Sequence, residues 1–355
     1  MILFNSDHMN NTKILVICHL TDSKSNGQIA KTNDIISFLK KHGYEVDILN
    51  YGKFNIFQKI FSSKRIIKDY EKIVLMPGGK NALFYYINLL TKLHKTNTHY
   101  VAIGGWVLNL LNDSKNKKYF DKLKSFKGVY LQNTKTVDAF IENGFKNVFN
   151  VSSFSSKLPI TDKQANLKAL NYLKQEEFNF CFFARVERTK GVLLACEAIQ
   201  KAIQKYPEHK ITLDIYGEIK DEVLRSEIGK ITEKTAQISY KGILYSDDCL
   251  TVLSSYFCML FPTFYKGEGT PHTIIESYMA GLPIIASNWA YNSELVENGK
   301  TGFLFDLNTD QLFETICHVI DNYKELSDVS KNCYKKSKFF DMENLLKPLL
   351  LNLEN

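Results

Sequence analysis

The chain has no stretch long and apolar enough to cross a bilayer as a helix. Such a span takes about eighteen or more consecutive apolar residues, and YVAIGGWVLNLL at 100–111 falls short. The opening MILFNSDHMNN has no basic segment and no cleavage site, so no leader is expected, and Met9 is an alternative start to Met1. Proline is scarce, at 7 of 355 residues, and no low-complexity tract interrupts the chain, which excludes a disordered protein. No repeat of solenoid period is present. The seven cysteines are odd in number, scattered through apolar runs and without a C-x-x-C, which excludes a disulfide scaffold. Buried, reduced thiols and a cytoplasmic location are expected instead. The eight histidines show no H-x-x-x-H spacing and there is no D-x-D, so no metal site is expected. The chain also lacks G-x-G-x-x-G. The GEG at 267–269 is followed by His272 where the third glycine would stand, which disfavours a nicotinamide enzyme. No signature of the common nucleic-acid modules occurs, and no nucleic-acid partner is expected.

What is present is a globular composition, 45% hydrophobic and 13% aromatic, in a chain long enough for two cores. Its net charge of +7 is unevenly spread. Residues 1–150 carry 22 Lys and Arg against 11 Asp and Glu; the rest carry 23 against 27. The basic first half reads either as a solvated lysine-rich surface or as a face toward an anionic neighbour, a membrane surface or a phosphate-bearing lipid acceptor.

Short apolar runs alternate with helical patterns throughout. KILVICHL (13–20) reads as a buried parallel strand, and IAKTNDIISFLKKHGYEVDIL reads as a helix stopped at Gly43 and a second strand. KIVLMPGG, THYVAIGG and FKGVYLQ follow as three more strands. The pattern restarts after about residue 152 with FNFCFFARV, KITLDIYG, ISYKGIL, YFCMLFPT, LPIIAS and GFLF. This predicts two tandem α/β domains, each a doubly wound parallel sheet. The boundaries read as 1–152 and 153–337, with NVSSFSSKLPITDKQ (150–164) as the linker. The amphipathic 338–355 is expected to pack back on the first domain.

Chemistry concentrates in GEGTPHTIIESYMAGLPIIAS, 267–287. Thr270 is placed to cap a helix, Pro271 to occupy its first position, and Gly281 to end it. A helix start after a parallel strand favours an anion. Glu268 precedes that start and Glu276 lies on the helix eight positions later. Carboxylates repel phosphate but accept hydrogen bonds from hydroxyls. A diphosphate flanked by hydroxyl-rich rings, as in a nucleotide-sugar, fits both demands. In CFFARVERTKGV, Arg185 ends a strand and Lys190 follows in the loop, a fork and a point charge suited to a diphosphate. Gly27, in SNGQIAKT, sits between the first strand and first helix, where backbone can approach a ligand closely.

ARVERTKGV, YKGIL and GEGTPHTIIESYMAGLPIIASNWAYNSELVENGKTGFLF resemble the retaining family 4 glycosyltransferases of GT-B fold. Glu268 and Glu276 match the E-x7-E motif of that family, and Arg185 and Lys190 match its Arg/Lys pair. SNGQIAKTNDIISFLKKHGYEVDIL and IGGWVLNLL resemble the first domain of the branch that builds bacterial capsular and surface polysaccharides. The resemblance implies two Rossmann-like domains facing a central cleft. It implies that Arg185 and Lys190 grip the donor diphosphate, and that Glu268 contacts the transferred sugar. Glu276 would hold the ribose hydroxyls, and Gly27 would lie under the diphosphate. Gly242 and Ile243 would frame the base, with Gly217 also on the donor side. Gly269, Thr270 and Pro271 would open the helix that caps sugar and phosphate. Gly105 and Trp106 are candidates for the acceptor side, with a buried core tryptophan as the other reading of Trp106. No cofactor or metal is implied; the nucleotide-sugar is a substrate, with UDP the expected carrier and GDP the runner-up. The implied acceptor is a glycan or a lipid-diphosphate-linked oligosaccharide at the inner face of the membrane. Ala184 departs from the glycine usual before the arginine. His19 and His94 are the candidates for a first-domain histidine found in some relatives, and both read more simply as structural.

Two other functions compete. A nucleotide-sugar epimerase can use the same fold and would convert sugars without an acceptor. A non-catalytic partner subunit is the reading from another class, and it would be expected to lose the two glutamates or the Arg/Lys pair, all four of which are kept here.

Overall fold

The computed structural model describes residues 12–21, 27–53, 56–244 and 249–354. The alternative starts Met1 and Met9, and most of the polar loop before Gly27, lie outside them. The chain divides into two compact units. One comprises the residues up to Ser152 together with those from Met342 onward; the other is Ser153–Asp341.

The first unit holds β1 (Lys13–Cys18), β2 (Glu45–Asn50), β3 (Lys72–Met76), β4 (Thr98–Val101), β5 (Gly128–Leu131) and β6 (Val148–Asn150). They form one sheet in the order β2-β1-β3-β4-β5-β6, with every neighbouring pair parallel. The central strands are apolar along their length because helices cover both faces. In β1 only Lys13 is exposed. β6 is absent from the sequence reading. Its three residues are too few to show a period, and the last of them, Asn150, opens the stretch expected as a linker. The C-terminal helix (Met342–Glu354) also belongs to this unit. Leu346, Leu349 and Leu353 are fully buried under it. His42 Nε2 lies 2.8 Å from Glu343 Oε2, and Asn352 Nδ2 donates to Tyr130 Oη at 3.0 Å.

The second unit holds β7 (Glu177–Phe183), β8 (Lys210–Tyr216), β9 (Ile238–Gly242), β10 (Cys258–Phe261), β11 (Ile284–Ser287) and β12 (Gly302–Phe305). Their order is β12-β11-β10-β7-β8-β9, again all parallel. β7 and β10 are neighbours although two strands separate them in the chain. The winding reverses between them, and open α/β sheets bind ligands at the carboxyl ends of strands beside such a reversal. The expected linker is partly structured. Thr161 and Gln164 form a reciprocal capping box that starts the helix Asp162–Asn171. The unit runs to Asp341 rather than 337, because Phe340, in the short 3-10 turn Lys338–Phe340, is buried in its core.

Among the described residues no helix is long and apolar enough to cross a membrane.

Candidate active site

The loops that follow β7 and β10 meet at the reversal point of the second sheet. The first carries Arg185 and Lys190, the second Glu268. They are stitched together by backbone: Phe264 N donates to Thr189 O at 2.8 Å. Gly191 makes the approach possible. It has φ +79°, and a Cβ there would lie 2.0 Å from the Pro262 carbonyl oxygen. Only glycine satisfies both conditions.

This contact sets Lys190 against Glu268. Lys190 Nζ lies 2.6 Å from Glu268 Oε2, and both side chains are 9% exposed. Thr263 Oγ1 donates to the same oxygen at 2.8 Å, and Ser287 Oγ holds the Thr263 carbonyl at 2.5 Å. The sequence reading gave Lys190 to a phosphate and Glu268 to a sugar; the structure pairs the two directly. The pair leaves Glu268 with further lone pairs that can accept hydroxyls, while the ammonium keeps further N–H donors for an anion.

Tyr265 is the centre of the cationic side. Its ring centroid lies 4.9 Å from Lys190 Nζ and 5.7 Å from Arg185 Cζ. Trp289 Nε1 donates to its carbonyl at 2.9 Å. Gly267 makes room for the ring, since a Cβ there would fall 2.8 Å from it. Arg185 also pairs with Glu187 on its own loop and is 42% exposed. Tyr265 was missed by the sequence reading, although its place just before GEG was a usable signal.

The helix after this loop spans His272–Met279, and its N-cap is Pro271, which has no side-chain capping bond. The expectation of Thr270 as cap and Pro271 as first helical residue is corrected here. Pro271 has ψ 124°, so helical backbone begins one residue later, and Thr270 lies before the cap. Thr270 and Pro271 are nevertheless buried beside Gly269 at the helix start. Glu276 lies on the second turn, 12% exposed, and Lys157 Nζ stands 2.6 Å from its Oε1. Lys157 was not singled out by sequence, because 119 positions separate it from Glu276.

Gly217 and Gly242 lie together at the ends of β8 and β9, with Gly217 N donating to Gly242 O at 2.8 Å. A Cβ on Gly217 would fall 1.8 Å from the Ala184 carbonyl oxygen, so the loop holding Ala184 and Arg185 rests directly on that glycine. Gly242 has φ +77° and open space around it, and Ile243 follows it half-buried.

In the first unit, Gly27 opens the helix Gly27–Lys41. Gly105 and Trp106 follow β4. Trp106 is half-buried against the core, and its Nε1 donates to Ile103 O at 3.0 Å. Gln28 Nε2 approaches the same carbonyl at 3.4 Å. His19 is exposed after β1 and stacks on Tyr51, with ring centroids 5.6 Å apart. His94 has φ 52° in the turn between the helix Lys80–Lys92 and β4.

Residues 177–322 match the family described as glycosyl transferases group 1. Over these residues the chain carries a glycosyl transferases group 1 domain. They contain Arg185, Lys190, Glu268 and Glu276. A UDP-Gal:alpha-D-GlcNAc-diphosphoundecaprenol alpha-1,3-galactosyltransferase of Escherichia coli is 30% identical over 168 residues, covering 46% of this chain and 42% of that protein. The chain thus spans less than half the length of that relative. A Methanocaldococcus jannaschii protein named as a glycosyltransferase is 22% identical over 356 residues, covering 85% of this chain and 84% of its own. Among solved structures, HepE of Anabaena in complex with UDP and glucose superposes with a TM-score of 0.69 at 15% identity, covering 97% of this chain and all of that one. The two parallel α/β units are those of the GT-B fold.

Proposed function

We propose that the chain is a retaining glycosyltransferase that moves a sugar from a UDP-sugar to a glycan or lipid-diphosphate-linked acceptor without a metal ion. The observation that carries this reading is the placing of Glu268 and Glu276 on either side of a helix start, with Lys190 buried against the first. Hydroxyl acceptors around an anion site match a nucleotide-sugar. The relatives support the donor class: one is named for UDP-galactose, and HepE was crystallised with UDP and glucose. The diphosphoundecaprenol in the first name supports a lipid-linked acceptor. The basic first half supports work at an anionic inner membrane face, from the cytoplasm.

In this reading Arg185, Lys190 and the helix start receive the charge of the departing diphosphate. Glu268 orients the transferred sugar and Glu276 the ribose. Gly217, Gly242 and Ile243 supply backbone around the base, and Gly27 approaches the diphosphate. Gly105 and Trp106 belong to the acceptor side. The acceptor oxygen attacks from the face the diphosphate leaves, and a leaving-group oxygen takes its proton.

The test is calorimetric titration of UDP, GDP and ADP in the presence of EDTA, with wild type and Glu276→Ala. UDP is expected to bind wild type, and the variant is expected to lose about tenfold or more, the scale of hydrogen bonds to a charged group. Folded wild-type protein that binds none of the three would overturn the proposal.

A further inference from the structure

Lys157 is held on three sides. Its ammonium meets Glu276 Oε1 at 2.6 Å and Cys249 Sγ at 2.9 Å. Its backbone N–H donates to Ser155 Oγ at 3.2 Å. Three residues on, Ile160 N donates to Met279 O at 3.0 Å. The segment 157–160 therefore runs along the helix His272–Met279, and its register sets Lys157 opposite Glu276.

The charge states fit a fixed role. Burial acts to lower Lys157, but the Glu276 carboxylate and the Cys249 sulfur together hold its ammonium above the ordinary lysine value. The Cys249 thiol is pushed up by burial and by Glu276, so it is a neutral acceptor at neutral pH. Lys157 thus has one anionic partner. Among the described residues no hydrogen bond or ion pair reaches the other oxygen, Oε2 of Glu276.

We propose that Lys157 is a positioning residue for nucleotide recognition: it locks Glu276 through Oε1 and leaves Oε2 presented to the ribose hydroxyls. This rests on reading Glu276 as the ribose-binding carboxylate. The physical gain is preorganisation. A glutamate free on a helix surface loses rotamer freedom when a ligand fixes it, and one already fixed does not.

The experiment titrates UDP and 2′,3′-dideoxy-UDP into wild type, Lys157→Met and Lys157→Arg, with Glu276→Ala alongside. Wild type is expected to prefer UDP. Lys157→Met is expected to lose about tenfold or more in UDP affinity and little for the dideoxy analogue, so that the preference collapses. Lys157→Arg, which restores charge and donor, is expected to recover the preference. A general structural role would weaken both nucleotides together, and that outcome overturns the inference. So does a Lys157→Met protein that keeps the wild-type preference while Glu276→Ala loses it, and there the donor-site reading survives. Wild type that binds neither nucleotide overturns both. If the methionine variant does not fold, Lys157→Gln is read by the same criteria.

Discussion

Gly191 and Gly242 both have positive φ, yet they answer to different forces. At Gly242, φ is +77° and nothing lies within 4 Å of a built Cβ. Alanine there meets only the left-handed backbone penalty, about 1 kcal/mol. At Gly191, φ is +79° and the Cβ would also fall 2.0 Å from the Pro262 carbonyl oxygen. Backbone must move, and strain of that kind adds about 1–3 kcal/mol. Gly191→Ala should therefore be clearly less stable than Gly242→Ala in urea unfolding. Equal losses would show that the close approach after β7 and β10 is not maintained in solution. The same comparison bears on the site, since Gly191 follows Lys190 directly. Displacing it should weaken nucleotide binding beyond any loss of stability.

At the scale of elements, the helix His272–Met279 is braced by its surroundings. Tyr278 Oη donates to Leu295 O at 3.0 Å and lies 3.0 Å from Thr301 Oγ1. Just beyond, Glu297 takes Lys300 and Lys336, each at 2.7 Å, tying this turn to the helix Leu326–Ser337. Hydrogen bonds from Lys300 and then Lys336 hold the Glu297 carboxyl down at about 2. A folded value below the unfolded one means stability present above about pH 4.5 and lost as pH falls toward 2. Glu297 is 47% exposed, so screening limits the effect to less than about 1 kcal/mol. The stability difference between wild type and Glu297→Gln should be full at pH 6, shrink through pH 4 and vanish near pH 2. It should also shrink in high salt. A difference unchanged across that range would rule out the ion pairs as its source. Elements of this kind were readable from sequence where burial is two-sided. All six strands of the second sheet fall where strands were read from the sequence; β10 and β12 are apolar runs, because parallel strands between helices admit few polar residues, whereas β8 and β9 carry Lys, Asp or Ser among their apolar residues. β6 has no such run. The start of the site helix was misplaced by one residue, because Thr-Pro suits two cap registers and only backbone angles choose between them. The motif carboxylates were legible as types and spacing, but their partners were not. Lys190 is 78 positions from Glu268 and Lys157 is 119 from Glu276, and no local pattern encodes a contact made by strand order.

At the scale of the whole chain, the last helix returns to the unit where the chain began. Lys41 and His42 pair with Glu343, Lys72 Nζ donates to the Leu353 carbonyl, and Asn352 donates to Tyr130. The exposed ion pairs contribute little. The fully buried Leu346, Leu349 and Leu353 contribute more, at about 1.5–3 kcal/mol each for a buried leucine. Their sum is about 5 kcal/mol or more, comparable with the whole stability of a domain. It also comes from residues that follow the whole second unit, so the first unit completes its fold only after the second has been made. A chain ending at Asp341 should therefore lose the first unit selectively. The core of Ser153–Asp341 does not include the removed helix. Limited proteolysis read by mass spectrometry should show new cuts before residue 152 and continued protection beyond it, and calorimetry should lose one transition while keeping another. Leu349→Ala in the full chain should reproduce the direction with a smaller cost, about 2–5 kcal/mol for a buried leucine. A truncated chain with unchanged melting and proteolysis would show that the first sheet and its own helices suffice, and that the returning helix adds no stability to the unit it covers.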